Sequence, residues 1–222
     1  MEYLWLILVL IIVLIFILSL EQLRRKTTLE LSKILYINRN FDLYFRLLEN
    51  KKLKLIYTQS AILMFELDGY LMLGNDFKVE KIIQLLESSP LPKGEKLELN
   101  QRKLSFYCQK KNKRKAKEAY EELTILLNKS KNKELIDEYN LVYGIYILHD
   151  MSLKKLLLEK INNADNQNTG LFYYRLAKLE YYDSNNKKAR EYLQIASKQL
   201  LNTSWANCCQ KCLEDINNLD EY

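Results

Sequence analysis

The sequence predicts an all-α protein, an N-terminal transmembrane helix followed by a stack of helical hairpins. Three observations carry that expectation. The 222 residues include only five Gly and two Pro, too few for a β-rich chain, which turns about every 8–12 residues. Leu, Ile, Lys, Glu and Asn dominate, a composition suited to helices joined by short polar connections. Beyond residue 26, apolar residues recur at i, i+3, i+4 and i+7, the period of one helix face.

The first element is Tyr3–Leu20, YLWLILVLIIVLIFILSL, which carries no charge. At about 1.5 Å per residue it reaches about 27 Å, close to the thickness of a bilayer's hydrocarbon core. A secretory signal would have a basic start, a shorter apolar core and a small-residue cleavage site. Here the start is Met-Glu, and SLEQL offers no such site. A buried core helix would show a polar face, which this segment lacks. Arg24, Arg25 and Lys26 follow the span, whereas only Glu2 precedes it. Basic flanks stay on the cytoplasmic side. The expected localisation is therefore the membrane, single-pass, with the N-terminus outside and residues 21–222 in the cytoplasm. The lipid bilayer is the expected partner of residues 3–20, with Tyr3 and Trp5 at the outer interface.

The remaining elements follow from a repeat. RKAKEAY (114–120) and KKAREYL (187–193) share one pattern, and their alanines, Ala116 and Ala189, lie 73 residues apart, about twice 36. Intermediate and preceding copies place Leu153 and Val79 in the same slot. In each copy a first helix ends at a polar turn, LGNDFK, QKKNKRK, HDMSLK or DSNNKK, and a second helix starts just before the slot. A small side chain there lets two antiparallel helices approach closely. Larger anchors follow, such as Ile83 with Leu86, Tyr120 with Leu123, and Leu193 with Ala196.

This pattern resembles the tetratricopeptide repeat family. Tyr173, Leu176 and Ala177 take the early first-helix slots of the fourth copy, and Ala189, Leu193 and Ala196 those of its second helix. The first copy supplies Tyr70, Gly74, Ile83, and Pro90 or Pro92. The chain departs from the family pattern in a longer period, in Leu153 where Ala is expected, and in Asn100 in an aromatic slot. The expected organisation is an anchor with its basic flank at 1–26, a divergent helical pair at 27–59, four repeats at 60–202, and a capping helix with an acidic tail at 203–222. Solenoids need such caps to keep an end repeat from exposing an apolar face.

Catalysis finds little to work with. His149 is the only histidine, and general acid–base chemistry wants a positioned partner. No nucleophile elbow, phosphate loop or zinc-protease helix is present. WANCCQKC (205–212) brings Cys208, Cys209 and Cys212 onto one helix, but structural zinc wants four ligands, and Cys108 lies far along the chain. Packing cysteines is the favoured reading; no cofactor, no metal and no enzymatic activity are expected.

From Lys93 to Lys133 there are 13 basic residues against 5 acidic ones. The densest stripe is Lys110, Lys111, Lys113, Arg114, Lys115 and Lys117. A solvated helix face is the favoured reading, ahead of contact with anionic lipid or an acidic partner and of nucleic-acid binding, where Phe106, Tyr107 and Tyr120 would have to act as stacking platforms.

The family resemblance implies that the first helix of each repeat lines a concave groove. That places Met64, Asp68 and Met72 there, then Gln101 and Ser105, then Glu138, Val142 and Tyr146, then Tyr174, Lys178, Tyr181 and Tyr182. Clustered tyrosines suit protein recognition, although packing between helices would use them equally well. The groove lacks the lysine with which some family members begin a clamp on an acidic C-terminus. The expected function is a membrane-anchored scaffold that holds a protein or peptide partner, with a basic-stripe tether to anionic lipid or nucleic acid as the alternative.

Overall fold

Asparagine decides where many of the helices begin. The computed structural model describes residues 2–128, 132–163, 169–201, 203 and 205–221, with the side chains of residues 2–4, 6 and 8 outside that description. Among the described residues the chain is all-helical, with no strand. Its α-helices are α1 (Glu2–Ser32), α2 (Phe41–Leu48), α3 (Lys51–Ile56), α4 (Gln59–Leu73), α5 (Asp76–Glu87), α6 (Lys93–Gln109), α7 (Lys113–Asn128), α8 (Lys133–Tyr143), α9 (Leu153–Asn163), α10 (Thr169–Tyr182), α11 (Asn186–Gln199), α12 (Ala206–Glu214) and α13 (Asn218–Glu221). Asn40, Asn50, Asn75, Asn132 and Asn185 cap α2, α3, α5, α8 and α11 by accepting a backbone N–H from the first turn. Each such cap contributes about 1 kcal/mol.

Five turns share one backbone geometry. Arg39, Gly74, Lys111, His149 and Ser184 adopt the left-handed region, with φ of 49°, 66°, 53°, 52° and 59°. Each is followed by Asn or Asp, namely Asn40, Asn75, Asn112, Asp150 and Asn185. Those side chains accept from the N–H groups of Leu43, Lys78, Lys115, Ser152 and Lys188. The preceding helix is closed by the next N–H folding back, from Asn75 to Tyr70 O at 3.0 Å, Asn112 to Tyr107 O at 2.9 Å, and Asn185 to Glu180 O at 2.8 Å. This is the Schellman closure. Successive turns lie 35, 37, 38 and 35 residues apart. The Arg39 turn falls in the segment where only a divergent pair was expected.

Two of the five turns carry an extra residue. Lys33–Ile37 and Gly144–Leu148 are single π-helical turns, so Asn40 N–H and Asp150 N–H reach six residues back, to Ile34 O and Gly144 O. The same segment explains Leu153, the oversized slot residue. A Cβ on Gly144 would lie 2.6 Å from Leu153 Cδ1; the small partner has moved to the opposite helix. Val79, Ala116 and Ala189 fill the other slots and are fully buried.

The chain divides into two compact units, residues 1–99 and 100–222. In the first, Leu31, Leu35, Tyr44, Leu48, Leu53 and Ile62 form a buried cluster bordered by Phe45, Tyr57 and Phe65. Gly69 lets α4 approach α2, since a Cβ there would meet Phe45 Cζ at 2.7 Å. In the second, Leu141, Ile145, Leu157, Leu176 and Leu179 form one cluster. Tyr174, Ala177, Ala189, Leu193, Ala196, Cys209, Cys212, Ile216 and Leu219 belong to another. α10 borders both clusters, packing on α9 and α11 and carrying α13.

The N-terminal expectation is corrected. Among the described residues no helix is long and apolar enough to cross a membrane. α1 carries the apolar stretch at its N-terminal end. The helix then runs unbroken through Glu21, Arg24, Arg25 and Lys26 to Ser32. The single-pass localisation, with an outside N-terminus and a cytoplasmic domain, is therefore overturned. Tyr3, offered as an interface marker, has its side chain outside the described ones. The supposed topology flank has structural work instead. Arg24 Nε donates to Ile56 O at 2.8 Å, Tyr57 Oη donates to Arg24 O at 2.7 Å, and Arg25 pairs with Glu21 at 2.6 Å.

Candidate functional site

The second unit concentrates polar chemistry on one face of α10. Lys178 is 1% exposed, an unusual place for an ammonium. Its Nζ donates to the carbonyl of Leu219 on α13 and lies 4.8 Å from the ring centroid of Tyr146 and 5.7 Å from that of Tyr182. The rings offer negative faces to the cation, but burial still pushes Lys178 down to about 8, with Asp220 as the leading opposing influence. Burial pushes Tyr146 up to about 12 and raises Tyr182 as well.

Two strained turn residues reach the same place. Lys111 Nζ bridges Asp220 Oδ2 at 2.6 Å, and His149 stacks on Tyr182 with ring centroids 3.7 Å apart. Burial, and then Lys113, lower the His149 pKa, while Asp220 opposes them. A left-handed L-residue costs about 1–2 kcal/mol, and both residues sit in the helix-closing turns described above. Tyr181 Oη completes the set, donating to Asn217 Oδ1 at 3.3 Å.

Of the residues placed in the groove by sequence, Tyr146, Lys178, Tyr181 and Tyr182 come together here. Tyr174 does not join them. It is fully buried, its hydroxyl accepts from Cys208 Sγ at 3.5 Å, and its ring packs on Trp205. Glu138 is half-buried and forms a two-pronged pair with Arg175, which is 4% exposed. Gln101 is half-buried on α6. In the first unit, Met64 is buried, Asp68 half-buried and Met72 exposed on α4.

The basic stripe is largely engaged. Arg114 pairs with Glu118 at 2.5 Å, Lys117 with Glu121 at 3.7 Å, and Lys111 with Asp220. Lys110 and Lys115 lie over the rings of Phe106 and Tyr107, and Lys113 stands exposed at the start of α7. Tyr107 is buried, and Tyr120 stacks on Tyr143 with centroids 4.4 Å apart. Neither ring stands open as a stacking platform.

Sequence reasoning missed Arg175, Asn217, Leu219 and Asp220. Leu219 was read as part of a polar tail, yet it is fully buried, and a lone leucine among Asn, Asp and Glu was the available signal. Among the described residues no group of three or more His, Cys, Asp or Glu is placed to hold a metal. Cys208 is drawn down to about 7, chiefly by the hydrogen bond from Cys212, whose own thiol the same contact pushes up. Burial pushes Cys108 up to about 12. All four cysteines are free.

A buried ammonium framed by two tyrosines, with a second lysine and a stacked histidine beside it, can hold a carbonyl and an adjacent carboxylate. Comparison with known protein families, with curated proteins and with solved structures returns no match for this chain.

Proposed function

We propose that this protein is a non-enzymatic interaction scaffold, a solenoid of tetratricopeptide-like hairpins that holds a segment of a partner protein. The observation that carries the reading is the face of α10, where Lys178 and Tyr182 meet Tyr146 and His149, with Tyr181 beside Tyr182 and the Lys111–Asp220 pair acting on Lys178. Tyrosines bury large areas at low entropic cost, and a desolvated lysine supplies a directional donor where water cannot compete. The recurrence of one turn geometry at residues 39, 74, 111, 149 and 184 supports the repeat architecture.

Tethering to anionic lipid or nucleic acid through the basic stripe is the weaker reading, because its charges are matched by Glu118, Glu121 and Asp220.

Photo-crosslinking in cells tests the proposal, with a photoreactive residue at position 146 or 181 and position 113 as the comparison. A discrete protein adduct from 146 or 181, absent from 113, is the expected result. Adducts from 113 alone, to nucleic acid or lipid, would overturn it.

A further inference from the structure

Three side chains of the second unit, two from α10 and one from the turn before α7, grip one short segment of the same chain. Lys178 on α10 holds the Leu219 carbonyl, Lys111 before α7 holds the Asp220 carboxylate at 2.6 Å, and Tyr181 holds the Asn217 side chain at 3.3 Å. The Leu219 side chain enters the apolar cluster of Tyr174, Ala177, Cys209 and Cys212. The segment itself is slight. α13 is four residues long, and Asp215, with extended backbone, separates it from α12.

A backbone carbonyl, an acidic side chain, an amide and two buried aliphatic side chains, Ile216 and Leu219, are the handles by which a receptor holds a peptide. We propose that residues 216–221 are an intramolecular ligand, and that the scaffold's partner is a protein segment of the same chemistry: a short acidic peptide that buries two aliphatic side chains three residues apart and presents an aspartate directly after the second. The partner binds by displacing α13. This inference rests on the interaction reading above and names the partner class and its competitor.

A core packed only for stability gains nothing from an ammonium at position 178, since an apolar side chain of similar size does as well or better in such a place. A receptor does gain, because the buried donor leaves an incoming peptide without a matching carbonyl heavily penalised. The charge balance agrees. Lys111 pairs with Asp220 and Lys178 feels its charge, so an acidic segment is favoured and a basic one repelled. A tethered segment faces its site at an effective concentration of about millimolar. A free peptide of intrinsic affinity near tens of micromolar therefore binds the intact protein about 10–100-fold more weakly than it binds the open site.

The test uses the full chain and the dye-labelled peptide DINNLDE, the sequence of residues 215–221. Fluorescence anisotropy compares the wild-type chain with a variant whose own segment is loosened, Leu219→Ser with Asp220→Lys. The variant should bind the peptide at least about tenfold more tightly than wild type does. A scrambled peptide should not bind, and adding Lys178→Met to the variant should remove binding. Native-state hydrogen exchange on the wild-type chain supplies the second measurement. Amides of residues 217–221 should exchange at least about 100-fold faster than those of α10 and α11, because release leaves the hairpins folded.

Protection of α13 equal to that of α10 would overturn the proposal, as would equal binding of the scrambled peptide. If the loosened variant loses its helical circular dichroism, the exchange measurement decides alone. A protein adduct from position 146 or 181, together with a fully protected α13, would retain the scaffold and discard the displaced ligand. Failure of both the crosslinking and the peptide binding would discard both.

Discussion

Lys178 makes a prediction that its burial alone determines. Its folded pKa lies near 8, against an ordinary value of 10.5. Between those values the unfolded chain holds more protons than the folded one, so stability rises with pH across the interval. Groups that burial pushes up act with the opposite sign, the Cys108 and Cys209 thiols from their ordinary value of 9.0 and Tyr146 from its ordinary value of 10.0. Urea denaturation at pH 8 and pH 10 should therefore show the wild-type chain gaining stability relative to Lys178→Met as pH rises. An identical pH dependence in the two proteins would mean that Lys178 is not desolvated. Gly144 supports a second prediction. Gly144→Ala forces its new methyl into Leu153 Cδ1 and should cost about 1–3 kcal/mol, as overpacking does. Adding Leu153→Ala opens space for that methyl, so the double variant should be more stable than the sum of the single losses requires. A four-way cycle of denaturation midpoints checks this, and simple additivity would refute the contact.

At the scale of elements, the turns set the boundaries. Ser184 is exposed and left-handed, and it directly precedes the Asn185 cap. Ser184→Gly should stabilise the protein by about 0.5–1 kcal/mol, the relief of left-handed strain less the extra backbone entropy of glycine. Asn185→Ala should destabilise it by about 1 kcal/mol or more, since Asn185 also donates to the buried Glu180 at 3.1 Å. Thermal melts of the pair should shift in opposite directions. These elements were largely legible in sequence, because helix periodicity and Asn-bearing turns are local signals. LGNDFK, QKKNKRK and DSNNKK are all turns of the shared kind. The Arg39 turn lies within the divergent helical pair that the sequence suggests, but its kinship with the other turns was hidden because its first helix is continuous with the apolar N-terminal stretch. The π-helical turns escaped notice, since one inserted residue shifts the spacing without leaving a residue signature.

At the scale of the molecule, what could not be read was which distant segments meet. The Leu219 carbonyl that Lys178 holds lies 41 residues further along the chain, and no periodic pattern encodes such a pairing. The tyrosine-bearing face was legible, but not its occupant. Local legibility also misled at the N-terminus, where an apolar run suggested a membrane span that the described helices do not support. The stripe yields the last prediction. Lys113→Glu, Arg114→Glu and Lys115→Glu together should leave capture of the protein partner essentially unchanged, because Arg114 pairs with Glu118 and Lys115 lies over the Tyr107 ring. Loss of the crosslinked adduct on this triple charge reversal would instead place the stripe in the interface. The left-handed turns also bear on time. Each closes a helix on itself and opens the next within a few residues, so most of the order is local, and chains of that kind fold in microseconds to milliseconds. Stopped-flow refolding from urea should show the helical signal returning on that scale. The hairpins would then be in place before α13, whose contacts need partners from across the second unit, has anything to settle against.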